Sequence, residues 1–326
     1  MNRIYLDNAA TTGMAEEVIQ EMQTIMRDCF GNPSSIHGHG RQARAYLEKS
    51  RRQIAELIGA APAEICFTSG GTEADNMALR KTVEVMGIRH IISSPIEHHA
   101  VTHTIEALEA EGKVKVDWIP HDRLGRLNME SLENHLAQSD KALVSLMHAN
   151  NEIGTTIDLH AVGQLCRQYG ALFHSDTVQT MGHFPFDVKN MPVDMLTCSA
   201  HKLHGPKGVG FLYIDHDRVK LAPFITGGAQ ERNLRAGTEN LYGIAGLAKA
   251  LSLAVEGMDE HASRIRSLKR RMLEGLQNEF PGLECNGVTD GTDLYTVLNV
   301  SFPETPDAEM FLMKMDIHGI SASGGS

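Results

Sequence analysis

Cysteine is scarce and scattered. The chain has 326 residues and five cysteines, Cys29, Cys66, Cys166, Cys198 and Cys285, with no C-x-x-C pair. An odd count without close spacing argues against a disulfide framework or a zinc ribbon, and the thiols read as buried and free. An excess of basic charge is missing too. Thirty lysines and arginines face 41 aspartates and glutamates, a formal net charge of -11. Acidity of that size argues against a nucleic-acid or anionic-membrane surface. No long uncharged apolar run is present, so no membrane span is expected. The opening MNRIYLDNAATT has no apolar signal core, from which a cytoplasmic protein is expected.

What is present is alternation. Short apolar runs end on polar residues: EICFTSGGT, HIISSP, KVDWIP, ALVSLMHAN, ALFHSD, MLTCSAH and VGFLYI. Helical patterns lie between them, such as EADNMALRKTVEVM, AVTHTIEALEAEG and LHAVGQLCRQYG. Strands alternating with helices predict an α/β fold with a mostly parallel sheet, and ligands in such sheets gather at the carboxyl ends of the strands. The character changes near residue 256. A charged helical stretch, HASRIRSLKRRMLEGLQNEF, is followed by TVLNVSFPE and AEMFLMKMDIHGISASGGS. The expected division is a large domain over 12–255 and a smaller α+β domain from 1–11 and 256–326.

The unusual residues cluster just after predicted strands. Gly70, Gly71 and Thr72 open a helix, where bare backbone amides and a hydroxyl make a phosphate cradle; a plain glycine turn is the simpler reading. Glu97, His98 and His99 follow another strand. His99 and His103 share a helix face, but the H-E-x-x-H pattern is absent and no metal site is expected. His98 is a surface histidine or a stacking partner for a flat ring. Asn150, Asn151 and Glu152 orient a polar ligand or close a turn. His174, Asp176 and Gln179 end a strongly apolar strand. A carboxylate there needs a cationic partner, unless Asp176 merely caps a helix.

Lys202 sits in CSAHKLHGPKGVG, a glycine-rich turn after a buried strand. A lysine there suits nucleophilic attack on a carbonyl once desolvation lowers its pKa. Lys207 nearby reads as a solvated turn residue. One cofactor draws these clusters together. Pyridoxal 5'-phosphate (PLP) needs an amide-and-hydroxyl cradle (Gly71, Thr72, Ser199, His201), an amine (Lys202) and a carboxylate on its ring nitrogen (Asp176). It also needs a donor to its phenolic oxygen (Gln179 or Asn151) and a stacking ring (His98).

With those residues in hand, the sequence resembles the cysteine desulfurases of the NifS/IscS type, within the class V aminotransferases. The likeness runs the length of the chain: YLDNAATT, FGNPSSIH, FTSGGTEADN, EHHAV, NNEIG, HSDTVQ, SAHKLHGPKGVG, GGAQERNLRAGTEN, LNVSF and GISASGGS. The resemblance implies a fold type I PLP enzyme. Lys202 holds the cofactor, His98 stacks on its ring and moves protons, and Asp176, Gln179 and Asn151 contact it. Thr238, in R-x-G-T, reaches the phosphate of the neighbouring subunit, which implies a homodimer. The implied reaction turns L-cysteine into L-alanine. Sulfur passes to a catalytic cysteine and then to an iron–sulfur scaffold or a sulfurtransferase. The family's nucleophile lies in S-x-G-S-A-C, and here the sequence reads SGGS to its last residue. The expectation is therefore a shortened chain, inactive in sulfur transfer, with part of its small domain uncovered. Alternatives on the same scaffold are a selenocysteine lyase, another β-eliminating enzyme, or a non-catalytic PLP-binding protein.

Overall fold

The computed structural model describes residues 3–303 and 310–324. Residues 1–2, 304–309 and 325–326 lie outside the described residues; they include parts of the stretches expected to build the small domain and the last two residues of SGGS. In chain order the first elements are β1 (Ile4–Tyr5), α1 (Glu16–Asp28), α2 (Gly38–Ile58), β2 (Ile65–Thr68), α3 (Gly71–Met86), β3 (His90–Ser93) and α4 (His99–Ala110). Then come β4 (Lys115–Trp118), α5 (Met129–Ala137), β5 (Ala142–Ser145), α6 (Leu159–Gln168), β6 (Leu172–Asp176), β7 (Met195–Ser199), β8 (Gly210–Ile214) and α7 (Leu241–Glu256). The last are α8 (Met258–Glu279), β9 (Glu284–Asn286), β10 (Asn299–Ser301), α9 (Phe311–Ile317) and β11 (Ile320–Ser321).

Seven strands form the main sheet in the order β2-β8-β7-β6-β5-β3-β4. All its pairings are parallel except those of β8, which runs antiparallel to both β2 and β7. Two reversals make β2 parallel to β7. The carboxyl ends of β2, β3, β5, β6 and β7 therefore share one edge, where ligands of open α/β sheets collect.

The strands read as unbroken apolar runs because both faces are covered. Successive side chains point to opposite faces. Leu143, Leu172, Met195 and Leu212 join one core cluster with Met77, Leu79 and Ile105 of α3 and α4. Their neighbours Val144, Phe173, Leu196 and Phe211 join the other, with Ile54, Leu247 and Leu251 of α2 and α7. Helix, sheet and helix make three layers. His174 and Asp176 share the α3-facing side of β6 with Leu172, while Phe173 and Ser175 point the other way.

Away from this sheet, β9 and β10 pair antiparallel, and β1 pairs in parallel with β11. Asp7, just after β1, accepts a hydrogen bond from Ser323 Oγ at 2.9 Å. The two ends of the described chain thus meet beside the segment that carries Ala9 and Ala10. No single described helix is long and apolar enough to cross a membrane.

Candidate active site

Lys202 closes the short 3-10 turn Ala200–Lys202 that follows β7. Its position is fixed through the preceding histidine. The His201 carbonyl accepts from both the N–H and the hydroxyl of Thr12, each at 2.9 Å. His201 Nδ1 meets Thr11 Oγ1 at 3.1 Å. Two residues on, the His204 N–H donates to Thr12 Oγ1 at 2.8 Å, and His204 itself takes a left-handed φ of 61°. The N-terminal segment is thereby stitched over the turn. Lys202 Nζ donates to the carbonyls of Ala9 and Ala10, the latter at 2.9 Å. Burial lowers its pKa, against the pull of Asp176 and Asp7. Lys202 is thus an amine held by carbonyls, with no carboxylate bonded to it among the described residues. Lys207 is exposed.

Asp176 ends β6, and its Oδ1 accepts the Val178 N–H at 2.9 Å. It therefore closes a turn, as the capping reading has it, yet it is also buried, at 6% exposure. Burial raises its pKa, opposed by that N–H and by His98 and Lys202. No described cation forms an ion pair with it. Gln179, one turn later, donates from Nε2 to the Ala9 carbonyl at 3.1 Å. Lysine and glutamine therefore converge on the same backbone oxygen.

His98 is the N-cap of α4. Its Nδ1 accepts the Ala100 N–H at 3.1 Å, which leaves the ring proton on Nε2. Burial lowers its pKa, with Asp176 opposing. His99 and His103 stack face to face, centroids 4.7 Å apart and 6° from parallel. Among the described residues no group of three or more His, Cys, Asp or Glu is arranged to hold a metal ion.

Two further carboxyls lie under this edge. Glu97 Oε1 accepts the Met147 N–H at 2.8 Å, while Oε2 is buried without a partner among the described residues. Asp75 of α3 points its Oδ1 at His174 Nε2, 3.5 Å away. Burial pushes His174 down to about 3, so the imidazole is neutral and this contact is no ion pair. Burial, with Asp176 adding to it, holds Asp75 and Glu97 well above the usual carboxylate range. Of the three buried carboxyls, Asp176 is the one turned toward Lys202 and His98. Nothing in the sequence marks Asp75, whose place in a helix looks ordinary.

Gly70 and Gly71 form the turn from β2 into α3. Gly70 has a φ of 149°, and a Cβ on Gly71 would fall 2.7 Å from Val178 Cγ2. Ser199, the last residue of β7, is buried, and a Cβ on Gly70 would sit 3.6 Å from its Oγ. The first amides of α3 thus open beside the Ser199 hydroxyl, with Thr72 exposed at the second helical position. Asn150 is a turn-former: its Oδ1 accepts the N–H groups of Glu152 and Ile153 at 2.9 and 3.0 Å, leaving Asn151 half-buried on the same turn. Thr238 is not in the group around Lys202. It is exposed on a strap before α7 and lines a cavity of about 180 Å³ with Thr68 and Ser69.

PLP fits these residues. A buried carboxylate without a cation, a desolvated amine without an acid and a helix N-terminus that admits no side chain are each incomplete alone. A pyridinium nitrogen, an aldehyde and a phosphate complete them. The thiols are a different matter. Burial raises the pKa of Cys29, Cys66, Cys198 and Cys285, and takes Cys166 to about 12. All five are protonated thiols, poor nucleophiles as they stand.

The profile of the aminotransferase class-V family matches residues 4–326. The chain is 42% identical to the cysteine desulfurase IscS of Dictyoglomus turgidum, over 99% of this chain and 81% of that protein. It is 41% identical to the cysteine desulfurase IscS of Clostridium botulinum, over 100% and 82%. A solved NifS-like protein superposes with a TM-score of 0.93 at 39% identity, covering 98% of this chain and 87% of its own. A shared sheet edge, a shared profile and a shared fold lead to one statement: this chain belongs to the class-V aminotransferase family.

Proposed function

We propose that the chain is a PLP-dependent cysteine desulfurase. It converts L-cysteine to L-alanine and passes the sulfur through a thiol to an acceptor protein, an iron–sulfur scaffold or a sulfurtransferase. The observation that carries this reading is Lys202, a desolvated amine bonded to two carbonyls at the carboxyl edge of the sheet. The relatives named as cysteine desulfurases supply the substrate.

When bound, the cofactor supplies an electrophilic carbon for amines and a ring that withdraws electrons from the substrate's α-carbon. The chain's residues do the rest. Burial lowers the pKa of Lys202 Nζ and so eases loss of the proton; this amine would hold the aldehyde carbon and, once freed, would take the proton from the substrate Cα. Asp176 would pair with the ring nitrogen and favour its protonated form, a charge pair strengthened in the dry site. Gln179 or Asn151 orients the ring oxygen. His98, whose proton is on Nε2, would stack on the ring and return protons. Gly71, Thr72, Ser199 and His201 would hold the phosphate. Burial takes His201 down to about 4, so it acts as a neutral hydrogen-bonding group. Thr238 completes the phosphate site of a second copy in a homodimer.

Borohydride reduction of the PLP-loaded protein, followed by peptide mapping, tests this reading. The cofactor should be fixed on the peptide carrying Lys202, and Lys202→Ala should fix none. Label on another lysine, or no label, sinks the reading.

A further inference from the structure

The strap before α7 is strained and heavily anchored. Glu231, Arg232 and Asn233 take left-handed φ values of 44°, 54° and 65° in succession, a conformation that side chains with a Cβ rarely adopt. Such a turn persists only where its surroundings hold it. Two acid–base pairs do so, and both tie the strap to the segment that becomes the phosphate cradle.

The first pair is Glu231 with Arg51 of α2. Both side chains are 2% exposed. Arg51 donates to Glu231 Oε2 at 2.8 Å and to Oε1 at 2.7 Å, and to the Ile65 carbonyl at 2.8 Å. Glu231 Oε2 also accepts the Phe67 N–H at 2.8 Å. The carboxylate thus grips β2 directly. The second pair is Arg235 with Glu73, at 2.8 and 3.3 Å. Glu73 Oε2 accepts the Ser69 N–H at 2.8 Å, the residue that opens the glycine turn. Glu73 is therefore shared between cradle and strap. Three residues after Arg235 comes Thr238. In between, the Gly237 N–H donates to Gln230 Oε1 at 3.2 Å, which ties the strap to itself.

We infer that Glu231 and Arg235 are positioning residues for cofactor binding: they clamp the 227–240 strap to the phosphate cradle of their own protomer and so couple that cradle to Thr238, which is offered to the other site. The inference rests on the proposed phosphate roles of Gly71, Thr72 and Thr238. Its consequence is that filling one site steadies the threonine of the other. Two cradles then act as a linked pair.

A double-mutant cycle tests this, read as the dissociation constant for PLP added to cofactor-free full chain. Arg235→Ala and Thr238→Ala should each weaken binding about tenfold. The double variant should also lose about tenfold, because the arginine acts through the threonine. Glu73→Gln is the second variant. It keeps an oxygen for Ser69 and loses the ionic grip on Arg235, and should weaken binding as Arg235→Ala does. The cofactor-free melting temperature reports folding separately. Losses that multiply to about a hundredfold overturn the coupling. Wild-type affinity in Arg235→Ala and Glu73→Gln, with Thr238→Ala still weakened, overturns the clamp alone. Wild-type affinity in Thr238→Ala overturns the cross-protomer phosphate contact, and the inference falls with it.

Discussion

Gly210 and Gly70 meet backbone to backbone. A Cβ on Gly210 would lie 2.9 Å from the Gly70 Cα and 2.2 Å from the Cys198 carbonyl oxygen. No rotamer relieves a clash with main chain. Gly210→Ala is expected to push β8 away from the cradle turn and cost about 1–3 kcal/mol, the usual toll of overpacking. Urea denaturation of the cofactor-free protein measures the loss, and PLP titration should show weaker binding in the same variant. An unchanged urea midpoint would mean the turn has slack.

Gly71→Ala separates cofactor from fold. Alanine is the better helix former by about 1 kcal/mol, which offsets part of the contact with Val178 at the first position of α3. Melting should shift little. PLP affinity should fall, because the helix start must move away from Val178 and carry its amides along. Equal affinity in wild type and variant would argue against phosphate at these amides.

Arg51 and Glu231 are buried opposite charges, and removing one strands the other. Arg51→Ala is expected to destabilise the protein by about 3–5 kcal/mol. Glu231→Gln should cost less, since an amide oxygen still accepts the Phe67 N–H. Urea midpoints rank the two. The reverse order would show that stranding the arginine costs more than stranding the carboxylate.

Acid should act through buried imidazoles. Burial lowers His148 to about 4, well under the ordinary histidine value near 6.5. Between those two values the unfolded chain binds a proton that the folded chain refuses. Stability from this group is complete above about pH 6.5 and is lost progressively down to about pH 4. The raised carboxyls Asp75 and Glu97 work in the opposite sense, so wild type alone does not isolate the effect. A difference does. His148 Nδ1 meets Thr180 Oγ1 at 2.9 Å, a contact a glutamine amide reproduces. His148→Gln should gain on wild type in melting temperature as pH falls through that window. Parallel curves would refute a neutral His148.

Much of the sheet was legible because both its faces are dry. VGFLYI and ALFHSD are short apolar runs closed by turn residues, and strands need little more. The direction of β8 was not read, although the cue was there: between Ser199 and Gly210 the sequence holds Gly205, Pro206 and Gly208 and no room for a crossover helix. A short link joins antiparallel neighbours, whereas parallel ones need a crossover. Helices α1, α2 and α7 carried no sequence expectation. At the candidate site, charged and ring-bearing residues announce themselves. Ala9 and Ala10 do not, because they contribute only carbonyl oxygens, and any residue has one. The partnership of Arg51 with Glu231 spans 180 positions, and no local pattern encodes a pairing at that distance.

The strand order has a bearing on synthesis. Among the described residues, β2 has β8 as its one neighbour in the sheet, and β8 is made nearly 150 residues later. A nascent chain that has emerged only as far as Asp176 already has four adjacent parallel strands, β4, β3, β5 and β6, able to assemble in turn. Its glycine turn, however, still hangs from an orphaned strand. The ribosome must release the stretch past Ile214 before that gap is filled, so the vitamin pocket is among the last parts of the sheet to mature.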